Sequence, residues 1–157
     1  MSLSKSAQSV QDVLSEKGID TKVMELPSST RTAEDAAKTI GCAVAQIVKS
    51  LIFQTKYTKR PILVLASGAN RVSEKLIATA VREEIVKADA DFTRDVTGFA
   101  IGGIPPIGHK QKIDTFIDED LLKQGVLWAA AGTPNAVFCL DAALIADLTS
   151  GKVIAIH

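Results

Sequence analysis

Apolar residues recur at helical spacing near the start of the chain. Positions 10, 13 and 14 are valine, valine and leucine, which predicts an amphipathic helix beginning at Ser4 or Ser6 and ending at Gly18. Thr32 is the predicted N-cap of a second helix, since Asp35 stands at its third position in the manner of a capping box. This second helix is expected at 33–40, and caps and apolar faces predict later helices at 74–85, 92–96, 119–122 and 142–148.

Runs of β-branched and aliphatic residues predict strands between these helices. The strands are expected at 23–26, 46–55, 61–66, 113–117, 126–131, 136–140 and 153–156. Polar or glycine-containing turns join 46–55 to 61–66 and 126–131 to 136–140, which predicts two hairpins. Because strands and helices do not alternate in sustained βαβ order, the pattern favours an α+β domain over a doubly wound sheet.

The length of 157 residues and a hydrophobic content of 46% indicate one domain, residues 1–157. Eighteen basic and eighteen acidic residues cancel, which argues against a generally cationic nucleic-acid binder. A local basic patch stays open, with candidates at 56–60 and 110–112. The cysteines Cys42 and Cys139 form no C-x-x-C pattern, so buried free thiols and a reducing cytoplasm are expected. We expect no membrane span, because no apolar run is long enough.

Special backbone chemistry is concentrated in the eight residues Gly102–His109, called the Gly/Pro loop below. It holds three glycines, two adjacent prolines and one of only two histidines. The sequence lacks the Walker A, G-x-G-x-x-G, H-E-x-x-H and G-x-S-x-G patterns, and a Cys–His pair would have to use His109. The acidic run Asp118–Asp120 is interpreted as a solvated helix start in preference to a metal site.

Lys49 interrupts the otherwise apolar run 47–53. Period-two alternation places it on the same strand face as Leu51 and Phe53. A lysine on an apolar face is costly unless its ammonium reaches water or an anion. It is therefore interpreted either as an edge lysine whose head snorkels to water, or as a cation at a pocket mouth that holds a phosphate or carboxylate.

Four segments carry a family resemblance: 30–37 (TRTAEDAA), 47–51 (IVKSL), 98–108 (GFAIGGIPPIG) and 131–132 (AG). Each is weak alone, but their order and spacing cover nearly the whole chain. Together they resemble the YbaK family of free-standing aminoacyl-tRNA deacylases, which is similar to the editing domain inserted in bacterial prolyl-tRNA synthetases. The resemblance implies a mixed, mostly antiparallel, barrel-like sheet flanked by short helices.

The resemblance also implies hydrolysis of the ester that joins a wrong amino acid to the 3′ adenosine of a tRNA. The expected substrate is tRNA(Pro) carrying a small amino acid such as alanine, cysteine or 2-aminobutyrate. The expected partners are the acceptor end of the mischarged tRNA and a prolyl-tRNA synthetase, with the protein a monomer or weak dimer in the cytoplasm. No cofactor or metal is implied, because the ribose hydroxyl of the substrate is thought to assist the attacking water.

By the same resemblance, the catalytic positions are Lys49, matching the lysine thought to hold the terminal nucleotide, and Gly102, in the loop whose backbone positions substrate and water. Substrate contacts are implied for Thr30, Thr32, Gly103, Pro106, His109 and Gly132. Many relatives carry lysine or glutamine where His109 stands, so His109 is expected either to contact the nucleotide or to cap the loop. Where relatives often have Ser-Gly-Gly, residues 130–132 are Ala-Ala-Gly, which leaves the accepted amino acid open.

Two other functions remain compatible with the residues. One is a module that binds aminoacyl-tRNA or a synthetase without turnover, since fold does not fix function. The other is hydrolysis of free aminoacyl or peptidyl small molecules. A panel of mischarged tRNAs separates these functions from editing.

Overall fold

A computed structural model describes residues 3–27 and 32–157 of the chain. In chain order its helices and strands are α1 Lys5–Glu16, β1 Met24–Glu25, α2 Ala33–Ile40, β2 Ile47–Thr55, β3 Pro61–Ser67, α3 Glu74–Val81, β4 Ile85–Lys87, α4 Ala90–Thr97, β5 Asp114–Asp118, β6 Val126–Ala130, β7 Ala136–Asp141, α5 Ile145–Thr149 and β8 Lys152–Ile154. Short 3₁₀ turns occupy Val44–Gln46, Glu119–Lys123 and Ala142–Leu144. No helix within these residues is both long and apolar enough to cross a bilayer.

The described strands form one mixed sheet in the order β1-β7-β6-β2-β3-β5-β8, and β4 pairs with β2. The β1–β7, β6–β7, β2–β3 and β2–β4 pairs are antiparallel, while β2–β6, β3–β5 and β5–β8 are parallel. The prediction of an α+β domain with a mixed, mostly antiparallel sheet is thereby confirmed, including both hairpins and β8 as an end strand.

The central strand β2 has an open stretch on one edge. Its ladder with β6 covers only Ile47 and Val48, and its ladder with β4 begins at Phe53. On the other edge β3 pairs continuously from Val48 to Gln54. Residues 49–51 therefore lie beside a gap between β6 and β4, since the Ile52 carbonyl already accepts the N–H of Ala88 just beyond β4, and β3 holds this part of β2 along its other edge. A gap of this kind gives a ligand access to the edge of a sheet without loosening it.

Apolar clusters pack on the two faces of this sheet. One contains Leu14 of α1, Leu63 and Leu65 of β3, Phe138 of β7 and Ile107 of the Gly/Pro loop. The other packs the opposite face of β3, through Ile62, Val64 and Ala66, against Ile77 of α3. Burial of apolar area at roughly 25 cal/mol per Å² makes these clusters the main source of stability. Both clusters include residues of β2 and β3, so these two strands are packed on both faces of the sheet.

The predicted helix starts agree with the structure. The hydroxyl of Ser4 accepts from the N–H of Ala7, and that of Thr32 accepts from the N–H of Asp35 at 3.0 Å. Ser73 caps α3 in the same way.

Two predictions were wrong in part. The third helix does not continue to about Ile85: it ends at Val81, because Arg82 adopts a left-handed conformation with φ 62°, and Ile85 begins the unpredicted strand β4. Cys42 and Cys139 are free thiols, as expected, but both are half-buried and not buried. Neither the end of α3 nor the start of β4 carries a glycine or proline that could have marked it in the sequence.

Candidate active site

The open edge of β2 borders a cavity of about 340 Å³, called the β2 cavity below. Helix α2, strands β2 and β6 and the start of the Gly/Pro loop enclose it. Thr32, Lys49 and Gly102, three residues implied by the resemblance, line it together. Glu34 and Ser50 are further polar lining residues. Most of the remaining wall is apolar and includes Ala36, Ile40, Ile47, Ile104, Trp128 and Val137.

The Lys49 ammonium is anchored at the side of this cavity. Its Nζ donates a hydrogen bond to the backbone carbonyl of Asn70 at 2.5 Å, and the residue is half-buried. Burial lowers the pKa of Lys49, an effect that the carboxylates of Glu34 and Asp118 oppose and the cation of Arg71 reinforces. One hydrogen bond leaves the ammonium two further protons with which to bind a ligand.

The turn that contains Asn70, the partner of Lys49, is held in place by the buried carboxylate of Asp118. The Asn70 side-chain amide donates to Asp118 and to Asp120, at 2.8 Å in each case. Asp118 also accepts the backbone N–H of Ser67 at 3.0 Å and that of Asp120 at 2.9 Å. Because Asp118 is fully buried, the interpretation of 118–120 as a solvated helix start was wrong for this residue.

The same acidic turn meets the end of the chain at His157. Ligand atoms of Asp118, Asp120 and His157 lie within 4.8 Å of one another, a spacing compatible with a cation. Hydrogen bonds already account for it: His157 Nε2 lies 2.9 Å from Asp120, and Lys123 donates to Asp120 at 3.0 Å. These contacts lower the pKa of Asp120 and raise that of His157. We therefore assign the cluster to the support of Asn70.

The Gly/Pro loop presents backbone to the β2 cavity at Gly102. This residue has φ 95°, a conformation that favours glycine, and its N–H has no hydrogen-bond partner among the described residues. Gly103 lies behind it, where a Cβ would come within 2.9 Å of the Thr133 backbone. The Gly103 carbonyl accepts the N–H of Gly132 at 2.9 Å. Gly103 and Gly132 thus join the loop to the β6–β7 turn, and Gly102 alone of the three lines the cavity.

Ser50 is a candidate that the sequence did not single out. Its hydroxyl is buried and, within the described residues, is a side-chain oxygen with no hydrogen-bond partner. Ile52, two positions on, accepts a hydrogen bond from Ala88 across the open edge, so strand alternation also directs the Ser50 backbone groups to that edge. A buried unpaired hydroxyl costs about 1–3 kcal/mol, which a substrate group would offset on binding.

Pro106 and His109 lie elsewhere. Both line a separate groove of about 600 Å³, and neither lines the β2 cavity. His109 Nε2 is 2.7 Å from the carbonyl oxygen of Pro105, and since a carbonyl only accepts, Nε2 carries the proton. Burial lowers the pKa of His109, partly offset by this hydrogen bond. Thr30 lies outside the described residues.

The two predicted basic patches differ in their pairing. In the turn after β2, Lys56 pairs with Glu84 at 3.2 Å, and Arg60 pairs with Asp114 at 3.6 Å. Four lysines line the groove beside His109, and none of them forms an ion pair within the described residues: Lys17, Lys110, Lys112 and Lys152. Exposed ion pairs such as those of the turn contribute about 0–1 kcal/mol to the stability of the fold.

Replacement of His109 separates the two expected roles. We expect H109Q to lose about 1 kcal/mol of stability, the worth of one hydrogen bond, and to keep the wild-type KM. Because the folded pKa is lowered, the His109 contribution is present above the ordinary value of about 6.5 and is lost as the pH falls through the folded pKa. Urea titrations from pH 8 to pH 5 should show that the difference in free energy of unfolding between wild type and H109Q becomes smaller as the pH falls. A raised KM would instead assign His109 to nucleotide contact.

Comparison with known proteins finds relatives that match most of the chain. Residues 27–148 match the family model of the aminoacyl-tRNA editing domain. A solved structure described as a candidate trans-editing enzyme for prolyl tRNA synthetase is 43% identical, with a TM-score of 0.93 over 99% of this chain and 98% of the other.

Two curated sequences extend the comparison. A proline–tRNA ligase of Limosilactobacillus fermentum is 31% identical over 105 residues, which are 64% of this chain and 18% of the ligase. A candidate Cys-tRNA(Pro)/Cys-tRNA(Cys) deacylase of Enterococcus faecalis is 23% identical over 77% of this chain and 74% of that protein. The chain thus spans less than a fifth of the ligase but most of the free-standing relatives.

Proposed function

The chain belongs to the family of aminoacyl-tRNA editing domains, and from this premise we propose that it hydrolyses mischarged aminoacyl-tRNA in trans. The bond cleaved is the ester between the amino acid and the 3′-terminal ribose. Water supplies the hydroxyl of the released acid, and the ribose oxygen regains a proton. The observation that carries the proposal is the β2 cavity, whose wall includes both Lys49 and Gly102, and the Gly102 N–H has no hydrogen-bond partner among the described residues.

This wall suits ester hydrolysis by positioning and charge stabilisation. Among the described residues, the lining of the β2 cavity includes neither histidine nor cysteine, so the attacking group is assigned to water. The Gly102 N–H supports an oxyanion in the role that backbone donors have in acyl transfer, where one donor is worth about 10²–10³-fold in rate. Lys49 holds the terminal nucleotide, and the ribose hydroxyl orients the water.

The shape of the β2 cavity favours a small amino acid. Ile40, Ile47 and Trp128 limit its apolar part, and Ala130 adds no polar group. Glu34 in the lining provides a carboxylate for the substrate α-ammonium. The proposed amino acids are therefore alanine, cysteine, 2-aminobutyrate, serine or threonine. The relatives described as editing for prolyl tRNA synthetase or acting on Cys-tRNA(Pro) support tRNA(Pro) as the carrier and a prolyl-tRNA synthetase as the source of the misacylated tRNA.

A panel of mischarged tRNAs tests the proposal. Release of labelled amino acid should be fastest from small-residue esters of tRNA(Pro), and slower by about 10- to 200-fold for each added group that the apolar wall cannot hold. Phe-tRNA(Phe) and uncatalysed hydrolysis are the matched controls.

Two results would assign a different function to the protein. Binding across the panel without hydrolysis would make the protein a binding module for aminoacyl-tRNA. Equal hydrolysis of aminoacyl esters that lack tRNA would make it a hydrolase of small molecules.

A further inference from the structure

A second cavity adjoins the first along the open edge of β2. It has a volume of about 560 Å³, within the range of about 300–1,000 Å³ typical of ligand sites. Lys49, Ser50 and Ile104 line both cavities. The second one, called the adjoining cavity here, extends from this shared wall towards the start of α3 and the end of β4.

The adjoining cavity carries an excess of positive charge. Arg71, just before α3, and Lys87, at the end of β4, line it together with Lys49, and Glu74 supplies the one carboxylate among its described lining residues. Neither the Arg71 side chain nor the Lys87 side chain forms an ion pair or hydrogen bond with another described residue. Two unpaired cations on different elements facing one cavity are an arrangement suited to a bound anion. The chain as a whole has zero net charge, so this charge is local.

We propose that the adjoining cavity binds the 5′ phosphate of the terminal adenosine of the substrate, through Arg71 and Lys87. The inference rests on the proposed function, because that function fixes which chemical groups must lie on either side of the ester. With the amino acid in the β2 cavity and the ester at the shared wall beside Lys49 and Ser50, the ribose leads into the adjoining cavity. The phosphodiester that joins the last two nucleotides then lies on the side where Arg71 and Lys87 stand.

The guanidinium of Arg71 fixes the orientation of the bound phosphate. A planar guanidinium binds two phosphate oxygens at once, whereas the Lys87 ammonium acts as a point charge. The two side chains therefore hold the nucleotide in one orientation and place the ester against Gly102. The adjoining cavity accordingly recognises a feature shared by every tRNA, and the β2 cavity is left to distinguish amino acids.

Binding of adenosine and adenosine 5′-monophosphate tests the subsite, because these ligands differ only by the phosphate. By calorimetry, the wild-type protein should bind the monophosphate about 10- to 100-fold more tightly than adenosine, the worth of charge-assisted hydrogen bonds. Arg71→Gln and Lys87→Gln should each remove most of this preference and leave adenosine binding unchanged. Lys75→Gln is the matched control, since Lys75 is exposed on α3 and does not line the adjoining cavity.

Two outcomes would overturn the inference. One is a preference for the monophosphate that survives in both Arg71→Gln and Lys87→Gln. The other is a preference lost instead in a Lys110→Gln, Lys112→Gln double variant, which would move the phosphate to the groove beside His109. Nucleotide binding does not require turnover, so a monophosphate preference without deacylation refutes the proposed function alone. Deacylation without the preference refutes the subsite alone.

Discussion

Lys49→Ala is expected to lower kcat/KM for hydrolysis of a mischarged small-residue tRNA by about 10²–10³-fold. The reason is that the substitution removes the ammonium that holds the terminal nucleotide at the wall shared by the two cavities, so the ester is no longer aligned with the attacking water. Stability should fall by only about 1 kcal/mol, because Lys49 is half-buried and makes one hydrogen bond, to the Asn70 carbonyl. Rates of amino-acid release and thermal unfolding of the same preparation measure the two effects.

Two further lysine variants sharpen this experiment. Lys56→Ala removes an exposed lysine that pairs with Glu84 outside both cavities, and it should retain the wild-type rate. Lys49→Arg keeps the charge in a planar form and should recover part of the rate if electrostatics dominate. A folded Lys49→Ala protein with undiminished hydrolysis would contradict the assigned role.

The residues alone marked Lys49 and the Gly/Pro loop as candidates because each conflicts with its surroundings, and the family resemblance then implied catalytic roles for Lys49 and Gly102. A lysine within an apolar strand, and glycines and prolines concentrated in eight residues, are local features that periodicity makes visible. The structure brings both residues to one cavity. The residues that support them are too far apart along the chain to be recognised: Asn70 and Asp118 are 48 positions apart and meet only because β3 pairs with β5.

Other features were beyond sequence reasoning for a different reason. Strand β4 has three residues, of which only Ile85 is buried, so no alternation distinguishes it from the end of a helix. Ser50 looks like an ordinary polar residue in a strand, and its importance comes from the gap between β6 and β4 that leaves its hydroxyl unpaired. The position of His109 in the separate groove, away from Lys49, likewise depends on the path of the chain through Pro105 and Pro106.

Asp118→Ala is expected to lower the free energy of unfolding by about 2–5 kcal/mol. The carboxylate is fully buried and accepts hydrogen bonds from the Ser67 N–H, the Asp120 N–H and the Asn70 side chain. Removing it leaves the Ser67 and Asp120 N–H groups without this acceptor and the Asn70 amide with Asp120 alone, and an unsatisfied buried donor is the costly case. Asp147→Ala is the control, since Asp147 is exposed and the change should stay within about 0.5 kcal/mol. Urea unfolding measures both values.

Asp118→Asn separates the structural role of this carboxylate from its effect on Lys49. The amide preserves the shape but removes a negative charge that raises the pKa of Lys49. The pKa of Lys49 should therefore fall in the variant, and activity that requires the ammonium should be lost at lower pH than in the wild type. A pH profile of kcat/KM on the folded variant measures this shift of the alkaline limb. If the limb stays in place while stability falls, Asp118 supports the turn without tuning Lys49.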